Sequence, residues 1–140
     1  MPGVLETIAK AQGGHAIENL ARAYGLDPKT AEAVLGAIVP RFAQAVEKNT
    51  LSRGGLSDLV RALGQGHHGV YLESPAAIGH PQTQAEGNAI LSHIVGTKDA
   101  SRGIAGYAAR ETGVDDATIK AMLPTIATWI MGGMAQDTKL

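Results

Sequence analysis

Two segments of the chain share one helical pattern, and this internal repeat constrains the fold more than any other feature. Residues 20–46 align without gaps with residues 108–134, and eight of these 27 positions are identical. The identical pairs are Ala21/Ala109, Arg22/Arg110, Gly25/Gly113, Asp27/Asp115, Thr30/Thr118, Ala33/Ala121, Leu35/Leu123 and Ile38/Ile126. A chain that repeats a unit in this way is expected to build one structural element twice.

Apolar residues recur in both copies at spacings of three and four, which is typical of one face of an α-helix. The stripe in the first copy is Ala31, Val34, Leu35, Ile38, Val39, Phe42, Ala45 and Val46. The same offsets in the second copy give Ile119, Met122, Leu123, Ile126, Ala127, Ile130, Gly133 and Met134. Each copy therefore predicts a helix that buries its stripe.

A glycine and an aspartate precede each stripe. Gly25 and Gly113 stand where a preceding helix would end in the left-handed conformation that glycine adopts without strain. Asp27 and Asp115 stand where a carboxylate would cap the next helix. We therefore predict two degenerate helix-turn-helix repeats, homeodomain-like in pattern, at about 15–50 and 100–138.

The remainder of the chain also favours helices. Further helices are predicted near 4–11 and 56–63, and another is predicted to begin at a capping box formed by Thr83 and Glu86. The segment 64–82, "GQGHHGVYLESPAAIGHPQ", is predicted to be a Gly/His-rich loop that joins the two repeats, and "GVYLES" within it is the single candidate strand. Hydrophobic residues make up 44% of the chain, which is enough for a globular core. The predicted fold is an all-α, small helical bundle that forms one domain over residues 1–140.

The C-terminal third resembles a known family. The segment "GNAILSHIVGTKDASRGIAGYAARETGVDDATIKAMLPTIATWIMGGMA", residues 87–135, resembles the YidB-like family, a bacterial domain of unknown function (DUF937). The resemblance rests on "ILSHIVG", on the turn in "ARETGVD" and on "MLPTIA". It implies a small helical bacterial protein, and it supplies no catalytic residues.

Helix-turn-helix spacing does not by itself predict DNA binding, because its small residues and glycine are packing requirements. Reading DNA needs exposed basic or amide side chains near the start of the second helix and a basic surface. Lys29 and Lys120 are the basic residues at those positions. The segment 15–50 holds four basic and four acidic residues, and the whole chain has a net charge of −1. We expect no nucleic-acid partner, and a nucleic-acid-associated regulator that uses these two lysines is the alternative.

The chain offers few candidates for catalytic residues or metal ligands. His67, His68 and His80 of the loop are weak candidate metal ligands, because their spacing matches no established ligand pattern. The chain has no cysteine, no Gly-x-Ser-x-Gly elbow and no phosphate-binding loop with its lysine. We therefore expect no enzyme activity, no metal and no cofactor.

The last helix carries apolar residues outside its stripe. Trp129 and Met131, together with Met134, predict an interaction surface for a protein partner or a second copy of the chain. The apolar stretch 119–134 is too short and too interrupted to span a membrane, and the N-terminus shows no leader pattern, so we expect a cytoplasmic protein. The predicted function is that of a non-catalytic structural or protein-interaction module.

Overall fold

The computed structural model describes residues 4–50, 72–92 and 98–137, and within these ranges no strand forms. Leu72 and Glu73, at the end of the candidate strand, are helical. The all-α prediction is thus confirmed for the described part of the chain. Its helices are α1 (Val4–Gly14), α2 (Ala16–Ala23), α3 (Pro28–Thr50), α4 (Pro81–Ile90), α5 (Lys98–Thr112) and α6 (Asp116–Asp137), with a 3₁₀ turn at Pro75–Ala77.

Helix α6 lies at the centre of the core. Every residue from 122 to 133 is buried, and α6 packs against α1, α3, α4 and α5. The approach of α1 is close, since a Cβ built on Gly133 would lie 3.1 Å from Val4 Cγ1. A helix that is apolar all round is stable in water only when other helices surround it, and this is the position that α6 occupies.

The predicted stripes face the core in both copies. In α3, Ala31, Val34, Leu35, Ile38, Val39 and Phe42 are all buried. In α6, Ile119, Met122, Leu123, Ile126, Ala127 and Ile130 are all buried. The helical periodicity therefore identified the core-facing side of each helix correctly.

Each stripe follows a turn of the predicted kind. Gly25 lies between α2 and α3 with φ of 71°, and Gly113 lies between α5 and α6 with φ of 74°. The Asp27 side chain caps α3, because its Oδ1 accepts the Thr30 N–H at 2.7 Å. Asp115 precedes α6, and its main-chain oxygen accepts the Ile119 N–H at 3.0 Å. The left-handed glycines and the Asp27 cap are confirmed.

Helices α3 and α5 pack against each other, and one cation–π contact joins them. The Arg41 guanidinium carbon lies 3.9 Å from the centroid of the Tyr107 ring. Such a stacked pair contributes about 0.5–1 kcal/mol at an exposed site.

The end of α1 is irregular, and it bonds the first two described residues of the 64–82 segment, Leu72 and Glu73. Gln12 and Gly13 have positive φ angles of 56° and 69°. Gln12 Nε2 donates to the Leu72 carbonyl at 2.7 Å, and Gln12 Oε1 accepts from Asn19 Nδ2 at 2.8 Å. The Gln12 N–H donates to Glu73 Oε2 at 3.3 Å. These bonds keep Gln12 in a backbone conformation that a non-glycine residue rarely adopts.

Helix α4 begins earlier than the capping box predicts. His80 is the N-cap, and its Nδ1 accepts the Gln82 N–H at 3.2 Å. Pro81 takes the first helical position, where its fixed φ suits the helix and its missing N–H costs nothing. Thr83 therefore lies inside the first turn, where it is buried, and the prediction of a Thr83 cap was wrong.

Some predictions fall outside the described residues. The helix predicted at 56–63 and the residues His67 and His68 are among these. Of the helices that the structure describes, none combines the length and the apolar character that crossing a lipid bilayer requires.

Candidate functional site

Polar groups from four segments meet beside Pro124, in the middle of α6. Proline has no N–H and its ring crowds the preceding turn, so a proline within a helix disrupts the backbone hydrogen bonds before it. Side chains outside α6 reach the main chain at this point. The Ala121 carbonyl accepts from Gln84 Nε2 at 3.0 Å, and Tyr24 Oη lies 3.3 Å from the same carbonyl oxygen.

Thr125 is the centre of this group, which we call the Thr125 cluster: Tyr24, Gly79, Gln84, Ala121 and Thr125. The buried Thr125 Oγ1 donates to Gln84 Oε1 at 3.1 Å and accepts the Gly79 N–H at 3.3 Å. Tyr24 Oη lies 3.2 Å from the same oxygen. A threonine hydroxyl has one donor and two acceptor sites, so Thr125 bonds all three partners when Tyr24 donates its single hydrogen to Thr125 and not to the Ala121 carbonyl.

The position of each member follows from local structure. Tyr24 is the C-cap of α2, immediately before the left-handed Gly25. Gly79 itself has a φ of 73°, and its N–H turns toward Thr125 just before α4 begins. Gln84 lies in the first turns of α4. The cluster therefore joins α2, the segment before α4, α4 itself and α6.

The groups in the cluster are electrically neutral at pH 7. Tyr24 is its titratable member, and burial raises the pKa of the phenol above its ordinary value of 10.0, with the hydrogen bond to Thr125 acting in the opposite direction. A neutral phenol, an amide and a hydroxyl that bond one another hold a structure together.

About one turn after Gln84, the backbones of α4 and α6 are in direct contact. A Cβ built on Gly87 would overlap the Cα, carbonyl carbon and oxygen of Pro124. Gly87 is buried and lies three residues after Gln84 on α4. The absence of a side chain at Gly87 lets the helices approach closely enough for Gln84 to reach the Ala121 carbonyl.

The two lysines of the DNA-binding alternative are exposed near the starts of α3 and α6. Lys120 Nζ lies 3.0 Å from Asp116 Oδ2, one turn earlier on the same helix. Lys29 lies near Asp27, whose pKa is lowered chiefly by hydrogen bonds from Thr30 and to a smaller extent by the charge of Lys29. Each lysine thus has an acidic neighbour, which reduces the positive potential available to a phosphate backbone.

The predicted interaction residues lie inside the chain. Trp129 and Met131 are both fully buried, and Met134 is partly buried. Trp129 Nε1 has no hydrogen-bond partner among the described residues. The apolar area that suggested an interface is therefore covered by helices of the same chain, and self-association stays a prediction.

The histidines were the weak candidates for metal ligands. His80 is exposed and caps α4 through its Nδ1 atom. In the ranges 4–50, 72–92 and 98–137, no three His, Asp or Glu side chains come together in a way that could hold a metal ion.

Sequence reasoning missed the Thr125 cluster. Its signal was present in part, because "LPTIAT" places a helix-bending proline and two threonines on an otherwise apolar helix. The partners Tyr24 and Gln84 could not be read from that pattern, since they are 101 and 41 residues away from Thr125.

Comparison with known proteins gives one match. The family model described as "Bacterial protein of unknown function (DUF937)" matches residues 6–137. No match was found among curated proteins or among solved structures. The match spans both predicted repeats, the described segments between them and the whole Thr125 cluster. The chain therefore belongs to the DUF937 family of bacterial proteins of unknown function.

Proposed function

We propose that this protein is a non-catalytic helical module that acts through contacts with other proteins. The observation that carries the proposal is the Thr125 cluster, where the polar groups that converge are neutral and bond one another. Thr125 Oγ1 lies within hydrogen-bond distance of Tyr24, Gly79 and Gln84. Such a cluster fixes helix positions and leaves no polar atom of Thr125 for a substrate.

We also propose that the module consists of two related helix pairs, α2–α3 and α5–α6. Both pairs turn at a left-handed glycine, Gly25 or Gly113, and both place an aspartate two residues later. In both, the second helix buries the first six positions of its stripe. The pairs differ where Gly36 aligns with Pro124, since Gly36 is exposed and Pro124 is buried against Gly87.

Crosslinking mass spectrometry on living cells tests the proposal. A photo-crosslinking residue placed at the exposed Ala33 or Ala117 would sample the outer faces of α3 and α6 without disturbing the core. We expect one defined protein to be crosslinked from at least one face and to bind the purified chain reciprocally. The proposal would be contradicted if no position captures a protein and the purified chain instead turns over a substrate.

The second candidate function is nucleic-acid association, which the positions of Lys29 and Lys120 near the helix starts favour. Against it, Asp116 pairs with Lys120 and Asp27 lies beside Lys29. Fluorescence anisotropy with duplex DNA separates the two functions. We expect only non-specific affinity on the order of 10⁻⁴ M at about 150 mM salt.

Two lysine variants make that measurement specific. Submicromolar binding that is lost in Lys29→Gln or Lys120→Gln, but retained in the control Lys10→Gln on α1, would support the nucleic-acid function. Lys10 is a suitable control because it is exposed and pairs with Glu6 at 3.2 Å, as Lys120 does with Asp116.

A further inference from the structure

Helix α1 is joined to α2 by a corner whose backbone leaves the helical conformation. Ala11 is extended, with φ of −65° and ψ of 159°, and Gln12 and Gly13 are left-handed, with φ of 56° and 69°. Gly14 continues the corner with a φ of 88°. In the described ranges, Gln12 is the one residue other than glycine that has a positive φ. Its Cβ makes this conformation unfavourable, so the corner is strained at a single position.

Gln12 also makes the hydrogen bonds that oppose this strain. Its side chain bonds the Leu72 carbonyl and the Asn19 amide, and its N–H donates to the Glu73 carboxylate. The bond to Glu73 is exposed and 3.3 Å long, so water competes for both of its partners. The balance between strain and these bonds therefore decides whether the corner stays closed.

Helix α1 covers the C-terminal part of α6. Ile8 is fully buried. A Cβ built on Gly133 would lie 3.1 Å from Val4 Cγ1 and 3.9 Å from Ile8 Cγ1, so the two helices approach closely. Among the described helices, α1 packs chiefly against α6 and α2. These contacts can form in the same way whether α1 comes from the same copy of the chain or from a second copy.

We propose that α1 exchanges between two copies of this chain, so that α1 of each copy packs on α6 of the other. An exchanged dimer keeps the contacts of Val4 and Ile8 with Gly133, because the helix and the surface that receives it are the same in both copies. The corner at residues 11–14 opens, and Gln12 leaves the left-handed conformation. Exchange of an element across a strained hinge is a low-cost route to a dimer. The inference does not depend on the proposed function, since it needs no other protein.

Two substitutions of Gln12 separate the backbone conformation from the side-chain bonds. Proline fixes φ at about −65°, so Gln12→Pro excludes the closed corner. Ala11 already has the extended conformation that suits a residue before proline. Glycine adopts a positive φ without strain, so Gln12→Gly permits the closed corner. Both variants lose the side-chain bonds to Leu72 and Asn19, so a difference between them reports the backbone.

Sedimentation velocity over a range of protein concentrations measures dimer formation. We expect Gln12→Pro to dimerise at least about tenfold more tightly than wild type, because proline excludes the closed corner that competes with exchange. We expect Gln12→Gly to stay monomeric at concentrations where Gln12→Pro is dimeric.

A disulfide crosslink identifies the exchanged arrangement. The chain has no cysteine, so Val4→Cys in one sample and Gly133→Cys in another, both combined with Gln12→Pro, give each copy one thiol. The 3.1 Å between Val4 Cγ1 and a Cβ at residue 133 allows the two sulfurs to bond. After the samples are unfolded, mixed, refolded together and oxidised, we expect dimers linked between residue 4 of one copy and residue 133 of the other.

Ala117→Cys in place of Gly133→Cys is the matched control. Ala117 is exposed and lies about 24 Å from Gly133 along the same helix. We therefore expect no linked dimers with Val4→Cys in this sample.

The proposal is overturned if Gln12→Pro is folded and monomeric, or if Gln12→Gly dimerises as tightly. It is also overturned if the dimers of Gln12→Pro form no link between residues 4 and 133 of different copies. If circular dichroism shows that Gln12→Pro does not fold, Val4→Cys and Gly133→Cys are refolded together at high concentration without that substitution. The absence of linked dimers in that sample likewise overturns the proposal.

Discussion

Gly87 of α4 lies directly against the backbone of Pro124 of α6, with no room between them for a Cβ atom. The contact brings the first turns of α4 to the position of Pro124 in α6, where Gln84 bonds both the Ala121 carbonyl and the Thr125 hydroxyl. Pro124, which lacks the N–H that a helix uses, is therefore also the residue against which α4 packs.

Replacement of Gly87 tests this contact. Glycine to alanine normally stabilises a helix by about 0.5–1 kcal/mol, because alanine loses less backbone entropy on folding. At Gly87 the added Cβ would overlap Pro124, so we expect Gly87→Ala to lower the free energy of unfolding by about 1–3 kcal/mol. Urea unfolding followed by circular dichroism measures the change.

The matched control is Gly36→Ala. Gly36 lies in α3, is exposed, and would gain a Cβ with no atom outside its own helix within 4 Å. We expect this variant to be more stable than wild type by about 0.5–1 kcal/mol. Equal effects of the two substitutions would show that Gly87 and Pro124 are not in close contact.

A double-mutant cycle measures the coupling between Tyr24 and Thr125. Tyr24→Phe removes the phenol hydroxyl, and we expect it to cost about 1 kcal/mol of folding stability. Thr125→Val also leaves the partly buried side-chain oxygen of Gln84 without its donor, so we expect a larger cost of about 1–3 kcal/mol. Because the two side chains share a hydrogen bond, the double variant is expected to fall short of additivity by at least about 0.5 kcal/mol.

Thr112→Val supplies the control for that cycle. Thr112 Oγ1 donates to the Ala108 carbonyl within α5 and takes no part in the Thr125 cluster. We expect the stability losses caused by Thr112→Val and Tyr24→Phe to be additive in the double variant. If the stability losses of Tyr24→Phe and Thr125→Val were also strictly additive, the 3.2 Å contact between Tyr24 Oη and Thr125 Oγ1 would contribute nothing to stability.

The raised pKa of Tyr24 predicts a loss of stability at high pH. Between the ordinary value of 10.0 and the higher folded value, the folded chain holds a proton that the unfolded chain releases. The free energy of unfolding must therefore fall as the pH rises through this interval, and the contribution is fully present below pH 10.0. Thermal unfolding from neutral to alkaline pH, compared between wild type and Tyr24→Phe, isolates this group. We expect the two profiles to converge at high pH, and parallel profiles would contradict a raised pKa.

Substitution of Trp129 distinguishes a role in the core from a role in an interface between chains. The side chain is fully buried within the chain, so we expect Trp129→Ala to cost about 3–5 kcal/mol of folding stability. Trp129→Phe keeps most of the apolar volume and leaves no unpaired indole N–H, so it should cost much less. Both variants are compared by urea unfolding and by sedimentation velocity. A dimeric wild type beside a folded, monomeric Trp129→Phe variant would instead support the interface that the sequence predicted.

Local patterns in the sequence were sufficient for the helices and their inner faces. Phe42 and Ile126 are buried as their stripes predict, and Gly25 and Gly113 have the expected positive φ angles. These features depend on residues three or four positions apart, or on the conformational preference of one residue. They can therefore be read without knowing how the helices pack.

The Thr125 cluster and the position of Trp129 depend on packing between distant segments. Nothing near Thr125 in the sequence indicates that Tyr24 and Gln84 will reach it. Gly87 looks unfavourable for a helix until Pro124 is placed against it. Trp129 looks exposed because it lies off the shared stripe, yet α6 is surrounded by other helices and has no open face there.

Native-state hydrogen exchange tests most directly whether the Thr125 cluster and the Gly87 contact join α2, α4 and α6 into one cooperative unit. We expect the slowest amides of the three helices to exchange with the same free energy, that of global unfolding. We also expect Gly87→Ala to lower all three values by the same amount. The account would be contradicted if Gly87→Ala made the amides of α4 exchange faster while those of α2 and α6 kept their wild-type protection.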